Sequence, residues 1–170
     1  EEEIGVGQGA GYSVNVPLAP YTDDETYMWA FEQVVPPLLE AFRPDVVVTQ
    51  LGIDTYYGDP LTHLALTTRG YLLVVQSLSE SARSIPWVAL GGGGYDLSAV
   101  ARCWALAYRV MADQDWPNEV PEQQRQRLGT AKMRDQETLA IPQETQAAVR
   151  RYAEATVLEL RRRVFPYHGL

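Results

Sequence analysis

A run of four consecutive glycines, Gly91–Gly94, is the feature that most constrains the fold of this chain. The run follows the apolar segment Trp87-Val88-Ala89-Leu90 and precedes Tyr95. Because the apolar segment is short and bounded by Pro86 and glycine, it predicts a buried strand. Each glycine costs backbone entropy on folding, so the loop requires unusual dihedral angles or a close approach of the backbone to another group.

A helix is predicted directly after this loop. Asp96 or Ser98 can cap its N-terminus, and apolar residues then recur at helical spacing. We expect this apolar face to be buried; it comprises Leu97, Val100, Ala101, Trp104, Ala105 and Tyr108. The order strand, glycine loop, helix is typical of α/β folds, which bind ligands at the carboxyl ends of their strands.

Earlier segments repeat the alternation of helix and strand. Thr22-Asp23-Asp24-Glu25 is interpreted as a capping box that begins a helix reaching about Phe42, with a bend at Pro36-Pro37. The apolar run 46–51 predicts a strand of the buried parallel type, and Thr67 or Thr68 begins the next helix. This alternation predicts an α/β fold, a parallel β-sheet flanked by helices. Residues 12–16 are predicted to form a further strand.

The chain is expected to form part of a single domain with two sections. Residues 1–112 carry the core α/β elements and the motifs. Residues 113–170 begin with a polar, proline-containing stretch that predicts irregular structure, followed by an amphipathic helix from Gln143 to about Arg163. The residues of that helix that are expected to face inward are Val149, Tyr152, Ala153, Val157 and Leu160.

Charge and cysteine content exclude some classes of partner. The net charge of −8 disfavours nucleic acid or an anionic membrane as the main partner. No apolar run is long enough to span a bilayer. The only cysteine, Cys103, cannot form an internal disulfide, which is typical of a reducing compartment, and we expect a cytoplasmic protein. Cys103 is expected to be a buried, inert thiol.

Two polar residues follow the two predicted strands. Asp54 follows the first strand and Tyr95 follows the second, about one crossover later, so adjacent parallel strands would bring both to one rim of the sheet. A carboxylate there can ligate a metal or act as a base, and a tyrosine hydroxyl can donate to an oxyanion. A turn or cap role for Asp54 and a packing role for Tyr95 are the alternatives. His63 and His168 lack metal-ligand spacing and are expected at the surface or in packing.

Several motifs appear together in the order seen in zinc-dependent histone deacetylases. They are Tyr12–Leu18, Asp23-Asp24-Glu25, Gln50-Leu51-Gly52-Ile53-Asp54, Gly58-Asp59-Pro60, and Gly91–Tyr95 with Ala101-Arg102-Cys103-Trp104. Residues 4–112 resemble this family, and more specifically its bacterial acetoin-utilisation-type branch. The resemblance implies an arginase-like, three-layer α/β/α fold and hydrolysis of N-ε-acetyl-lysine amides, on a protein or on a small acetylated amine.

The resemblance also implies roles for individual residues. Asp54 matches the third zinc ligand of the family, and Tyr95 matches the tyrosine that donates a hydrogen bond to the tetrahedral intermediate. Gly93 and Gly94 belong to the loop whose backbone approaches the acyl-lysine tunnel. Leu61 matches a tunnel-lining residue; it is apolar where the acetylpolyamine-selective branch has glutamate, which favours a lysine-type substrate. The ions that the resemblance implies are zinc, and potassium near the segment of Tyr12.

The sequence departs from the family pattern in one respect. The Asp-x-His motif that supplies the other two zinc ligands and the His-His pair that supplies the general base are both absent from the 170 residues. We therefore expect the C-terminal half of such an enzyme, inactive and metal-free by itself, whose partner is the missing N-terminal half. A truncated sheet would have an open edge and exposed apolar surface, so self-association is possible.

Two other classes of function are compatible with the residues. A phosphate- or nucleotide-binding module would use Gly91–Gly94 and the N-terminus of the following helix. Against it, no Lys or Arg follows the loop, and Asp96 would repel a phosphate. A non-catalytic interaction piece that binds a protein partner is the third hypothesis.

Overall fold

The computed structural model describes residues 3–170, which form helices around a small sheet. The helices are α1 (Asp24–Phe42), α2 (Thr68–Ser81), α3 (Leu97–Met111), α4 (Glu122–Leu128) and α5 (Gln143–Val164), the strands are β1 (Val47–Leu51) and β2 (Trp87–Gly91), and two short 3-10 turns span Gly7–Gly9 and Phe165–His168. The predicted alternation and the C-terminal helix are confirmed, while α4 is a short helix within the stretch predicted to be irregular. No helix of residues 3–170 is long and apolar enough to cross a bilayer.

The sheet is parallel, as the alternation predicts. β1 and β2 pair in register from Val47 opposite Trp87 to Leu51 opposite Gly91. Helix α2 forms the connection between them and packs beside α3. The fold class, α/β with a parallel sheet flanked by helices, is confirmed.

Helices α2 and α3 cover one face of this sheet. Leu51 and Trp87 pack against an apolar cluster whose members are Ile53, Tyr56, Tyr71, Val75, Ala99, Cys103 and Ala107. Val75, Ala99 and Cys103 are fully buried. Removal of this apolar surface from water is what holds the strands and the two helices together.

The opposite face of the sheet is bare. Side chains alternate across a strand, and the outward set comprises Val46, Val48, Val88 and Leu90, which are between 48% and 62% exposed. Residues 3–170 thus build the sheet and one helical layer on it, whereas a three-layer arrangement has helices on both faces. The exposed apolar surface predicted from the sequence is confirmed.

A second core joins the two ends of the chain. Helix α1 packs against α5 through Ala30, Val34, Val157, Leu160, Val164 and Phe165. The predicted inward face of α5 is buried at Val149, Ala153, Val157 and Leu160. Tyr152, predicted to face inward, is 48% exposed, so that part of the prediction is wrong.

Two local predictions in the first part of the chain are also wrong. Helix α1 is capped by Asp23, whose carboxylate accepts from the amide of Thr26, whereas the hydroxyl of Thr22 is buried and donates to the carbonyl of Ala19. Residues 12–16 are irregular and not a strand. A strand requires a partner, and in the described part of the chain the paired strands are β1 and β2.

Helix α3 presents a different face to the core from the one predicted. Leu97 and Tyr108 are 82% and 64% exposed. The buried residues are Ala99, Arg102, Cys103, Leu106 and Ala107. Two contacts account for this orientation. Arg102 pairs with the partly buried carboxylate of Asp135, and the indole of Trp104 donates to the carbonyl of Leu51 at the end of β1 (2.8 Å).

Candidate functional site

The loops that follow β1 and β2 meet at the carboxyl end of the sheet. The amide of Ile53 donates to the carbonyl of Gly93 (2.7 Å), which extends the pairing of the two strands into their loops. A side chain at Gly93 would overlap the carboxylate of Asp54. The structure therefore brings Asp54 and the glycine loop together, as predicted from their positions after adjacent strands.

Gly94 explains part of the requirement for glycine. Its φ is +139°, a conformation that residues with a side chain rarely adopt. A Cβ there would also lie 2.8 Å from Cγ2 of Val100 and 3.0 Å from Cβ of Ile53. Both predicted reasons for the glycines, unusual dihedral angles and close approach, are present in this loop.

Asp54 is half-buried at the start of the loop after β1. Its main-chain carbonyl accepts a hydrogen bond from the hydroxyl of Thr62, which closes the loop. The pKa of Tyr27 is raised by burial and then by the nearby charge of Asp54, so Tyr27 is a neutral phenol beside this carboxylate. The Asp54 carboxylate contacts the glycine loop at Gly93.

Asp59, of the motif Gly58-Asp59-Pro60, connects the two loops, a role that was not predicted from the sequence. Its carboxylate is buried and accepts from the amides of Leu61 (2.9 Å) and Thr62 (3.3 Å) through one oxygen. The other oxygen accepts from the amide of Tyr95 (2.8 Å). The available signal was an aspartate two residues before Leu61, the spacing of an Asx turn.

Tyr95 and Leu61 both lie at the surface of this rim. Tyr95 is 54% exposed and Leu61 is 64% exposed, and Asp59 ties their backbones to the same carboxylate. Neither side chain is enclosed by residues 3–170. The structure thus places both predicted residues at one rim.

An ion pair between the buried Arg102 and the partly buried Asp135 lies behind the rim, and sequence reasoning missed it. Nη1 of Arg102 donates to Asp135 (2.7 Å) and Nη2 donates to the hydroxyl of Tyr56 (3.1 Å). Asp135 also accepts from the amide of Thr68, the first residue of α2, and its own amide donates to the hydroxyl of Thr68. No spacing rule connects Arg102 with a residue on an irregular segment, so the pair could be found only from the structure.

The pKa values of this pair respond to burial and to hydrogen bonding in opposite directions. Burial would raise the pKa of Asp135, but the hydrogen bonds from Arg102 and Thr68 outweigh it and lower the pKa below its usual value. Burial would lower the pKa of Arg102, and Asp135 raises it. Burial also raises the pKa of Tyr56. The pair is therefore fully ionised at neutral pH.

The described residues do not form a zinc site by themselves. A catalytic zinc needs three protein ligands, and residues 3–170 contain no group of three or more His, Cys, Asp or Glu placed to hold a metal ion. His63 is exposed, and Nε2 of His168 lies 2.8 Å from the carbonyl of Gly11, so the predicted surface and packing roles of the histidines are confirmed. Asp54 offers one carboxylate.

Two further observations bear on the sequence hypotheses. Asp96 caps α3 by accepting from the amide of Ala99 (2.8 Å), so a carboxylate already lies at the helix end that a phosphate would use. Cys103 is fully buried, and burial raises the pKa of its thiol to about 12, as expected for an inert cysteine.

Comparison with known proteins identifies the family. Residues 1–111 match the histone deacetylase domain. Human "Histone deacetylase 1" is 40% identical over 119 residues, which cover 70% of this chain and 24% of that protein. "Acetoin utilization protein AcuC" of Bacillus subtilis is 37% identical over 124 residues, covering 71% of this chain and 32% of that protein.

The matched region includes the rim. It contains β1, β2, α3 and the residues that surround Asp54 and Tyr95, and it ends at the last residue of α3. The chain spans about a quarter of the length of the human relative and about a third of the bacterial one. Because the family match covers more than half of its residues, the chain belongs to the histone deacetylase family.

Proposed function

We propose that this chain supplies one part of the active site of a zinc-dependent deacetylase that hydrolyses N-ε-acetyl-lysine amides. The observation that carries the proposal is the contact between the Asp54 carboxylate and the glycine loop that leads to Tyr95, at the carboxyl end of a parallel sheet. The family match and the deacetylase names of the relatives support the reaction class.

Each rim residue has a role in this proposal. Asp54 would be one ligand of the zinc, which when bound lowers the pKa of a water molecule and polarises the amide carbonyl. The hydroxyl of Tyr95 donates a hydrogen bond to the carbonyl oxygen as negative charge develops on it. Gly93 and Gly94 let the backbone approach the acyl-lysine chain, and Leu61 provides an apolar contact for its methylenes.

In this proposal, Asp59 sets the distance between Leu61, which contacts the substrate, and Tyr95, which donates the hydrogen bond. One carboxylate accepts from the amides of both Leu61 and Tyr95, and this fixes the backbone of one residue relative to that of the other. An apolar Leu61 favours a lysine-type substrate over a polyamine, because a glutamate there would pair with a second amine. The substrate is an acetylated lysine in a protein or a small acetylated amine.

The remaining ligands and the general base belong, in this proposal, to an N-terminal half of the domain. The 170-residue chain by itself would then hold no zinc and show no turnover, and its bare sheet face would favour self-association. Potassium near Tyr12 and a cytoplasmic location complete the proposal, the latter supported by a single, buried cysteine.

The test is zinc content and hydrolysis of an acetyl-lysine peptide, measured on this chain alone and after mixing with the N-terminal half of a related deacetylase domain. We expect zinc and activity only on mixing. Asp54→Asn should remove both zinc and activity, and Tyr95→Phe should lower kcat by roughly 10²–10³-fold while zinc stays bound.

Matched controls lie away from the rim. Asp45→Asn, at the opposite end of the sheet, and Tyr152→Phe, on the exposed side of α5, should leave activity unchanged. Zinc and turnover in the 170-residue chain alone would contradict the shared site. Absence of activity from a folded mixture that binds zinc would contradict the reaction and favour an interaction role.

A further inference from the structure

A polar cleft lies between α2 and the segment 118–136, apart from the rim. Its volume is about 540 Å³, within the usual range of small-molecule sites. It is lined by Arg69, Leu72, Leu73 and Gln76 of α2 and by Asn118, Arg134, Asp135 and Gln136 of the facing segment. The facing segment lies outside the region matched to the deacetylase family, so this cleft is built partly from residues that the family resemblance does not describe.

The charge of the cleft is positive although the chain is acidic. The one carboxylate in its lining, Asp135, is neutralised by Arg102 behind it. Arg69 and Arg134 form no ion pair among residues 3–170, so two cationic charges face the same cleft in a chain of net charge −8. Unpaired guanidinium groups that line one concavity attract a small anion.

Arg134 is held in place by its neighbours. The side-chain oxygen of Asn118 accepts from both the amide (2.9 Å) and Nε (3.1 Å) of Arg134. This contact fixes the plane of the guanidinium while its two terminal nitrogens are not used by any hydrogen bond within the described chain. Such a pre-oriented fork loses little side-chain entropy when it binds an oxyanion.

The N-terminus of α2 does not take part in recognition. The amides of Arg69 and Gly70 donate to the hydroxyl of Thr67, and the amide of Thr68 donates to Asp135. Recognition therefore depends on the guanidinium groups. Arg69 makes one long hydrogen bond to the carbonyl of Glu137 (3.5 Å) and remains exposed.

We propose that this cleft binds a small molecule through a multivalent oxyanion, either a phosphoryl group or a pair of carboxylates, between Arg69 and Arg134. Leu73, 48% exposed on the wall of the cleft, contacts the apolar part of the ligand. Bridging α2 and the facing segment, the ligand would stabilise the docking of residues 118–136 on the core. This inference does not depend on the deacetylase activity.

The test is a titration of the 170-residue chain with inorganic phosphate, pyrophosphate and succinate, followed by calorimetry and by thermal unfolding at constant ionic strength. We expect saturable binding of at least one of these anions and a rise in Tm, with chloride giving neither. A response to phosphate or pyrophosphate alone would assign a phosphoryl ligand, and a response to succinate alone would assign a dicarboxylate.

Arginine variants inside and outside the cleft distinguish binding at this site from nonspecific attraction of anions by positive charge. Arg134→Gln and Arg69→Gln should each weaken binding roughly tenfold, since each removes a charge-assisted contact. Arg151→Gln, an exposed arginine on α5, removes the same charge elsewhere and should leave the Kd unchanged. Arg69 is exposed, so Arg69→Gln should fold normally. It therefore tests the site even in the case that Arg134→Gln does not fold. Equal Kd values for Arg69→Gln and Arg151→Gln, or no saturable binding of any probe, would overturn the proposal.

Discussion

The two faces of the sheet contain similar residues in opposite environments. Val47 points toward α2 and α3 and is 7% exposed, whereas its neighbour Val48 points the other way and is 62% exposed. Both strands have apolar residues on both faces, a pattern typical of parallel sheets that are covered on each side. The strands are thus patterned for two covering layers, of which residues 3–170 provide one.

The covered side also contains the polar interactions that fix the fold. Arg102 and Tyr56 are buried, and Arg102 donates both to Tyr56 and to the partly buried Asp135, whereas the bare face has apolar side chains in contact with solvent. Stability should therefore be concentrated on one side of the sheet.

Asp135→Ala should lower the free energy of unfolding by about 3–5 kcal/mol, because it leaves the buried charge of Arg102 without a partner and removes the acceptor for the amide of Thr68. Urea unfolding followed by circular dichroism measures the change. Asp115→Ala is the control: its carboxylate is 93% exposed and pairs with Arg109, so the loss should stay below about 1 kcal/mol. Similar decreases in the free energy of unfolding for both variants would contradict the conclusion that the ion pair of Arg102 stabilises the covered side.

Val75→Ala should lower the free energy of unfolding by about 2 kcal/mol. Val75 is fully buried in the cluster between α2, α3 and the sheet, so the substitution removes apolar contact and leaves a cavity. Thermal unfolding checks the value. Ordinary surface substitutions change stability by less than about 0.5 kcal/mol. A change that small for Val75→Ala would mean that the covered side is not a packed core.

Acid should unfold the chain partly through Asp135. Its pKa in the folded protein lies below the ordinary value of 3.8, so the unfolded chain takes up the proton at a higher pH than the folded chain. The contribution of ionised Asp135 to the free energy of unfolding is therefore complete well above pH 3.8, and it is lost as pH falls through the pKa of Asp135 in the folded state. Unfolding curves between pH 7 and 2 should show a smaller acid-dependent loss for Asp135→Asn than for the unaltered chain, and parallel losses would contradict this account.

Val48→Thr should change the free energy of unfolding by less than about 0.5 kcal/mol, since the side chain is already in contact with water. Val47→Thr, the same change on the covered face, should cost about 1–2 kcal/mol because it buries a hydroxyl. Sedimentation measures a second effect: if the bare face self-associates, Val48→Thr weakens the association and Val47→Thr does not. If Val48→Thr lowered the free energy of unfolding as much as Val47→Thr, the bare face would have to be covered in solution.

Local signals were sufficient for the two strands, for the helices α1, α2, α3 and α5, and for the rim. The strand before Gly91–Gly94, the cap at Asp96, the start of α2 after Thr67 and the juxtaposition of Asp54 with the glycine loop all depend on residues close in sequence or on the geometry of a parallel crossover. These features follow from propensities and spacing, and the structure confirms them.

Long-range partners account for the errors. The face of α3 was predicted from its apolar residues, but Arg102 is buried because Asp135, on a later irregular segment, meets it there. Residues 12–16 resemble a strand in composition, yet a strand forms only beside a partner. The bridging role of Asp59 requires the position of Tyr95, which the spacing does not supply.

The glycine run also limits which sequences this loop can accept. A methyl group at Gly92 would lie 2.9 Å from the backbone of Gly52, one at Gly93 would displace the Asp54 carboxylate, and one at Gly94 would lie 2.8 Å from Cγ2 of Val100, so each substitution requires a different neighbour to move. A Cβ at Gly91 would lie 3.1 Å from the indole of Trp104, so alanine should be tolerated better there than at the other three positions. Any side chain at Gly93 would therefore alter the rim itself, because the atom it displaces belongs to the Asp54 carboxylate.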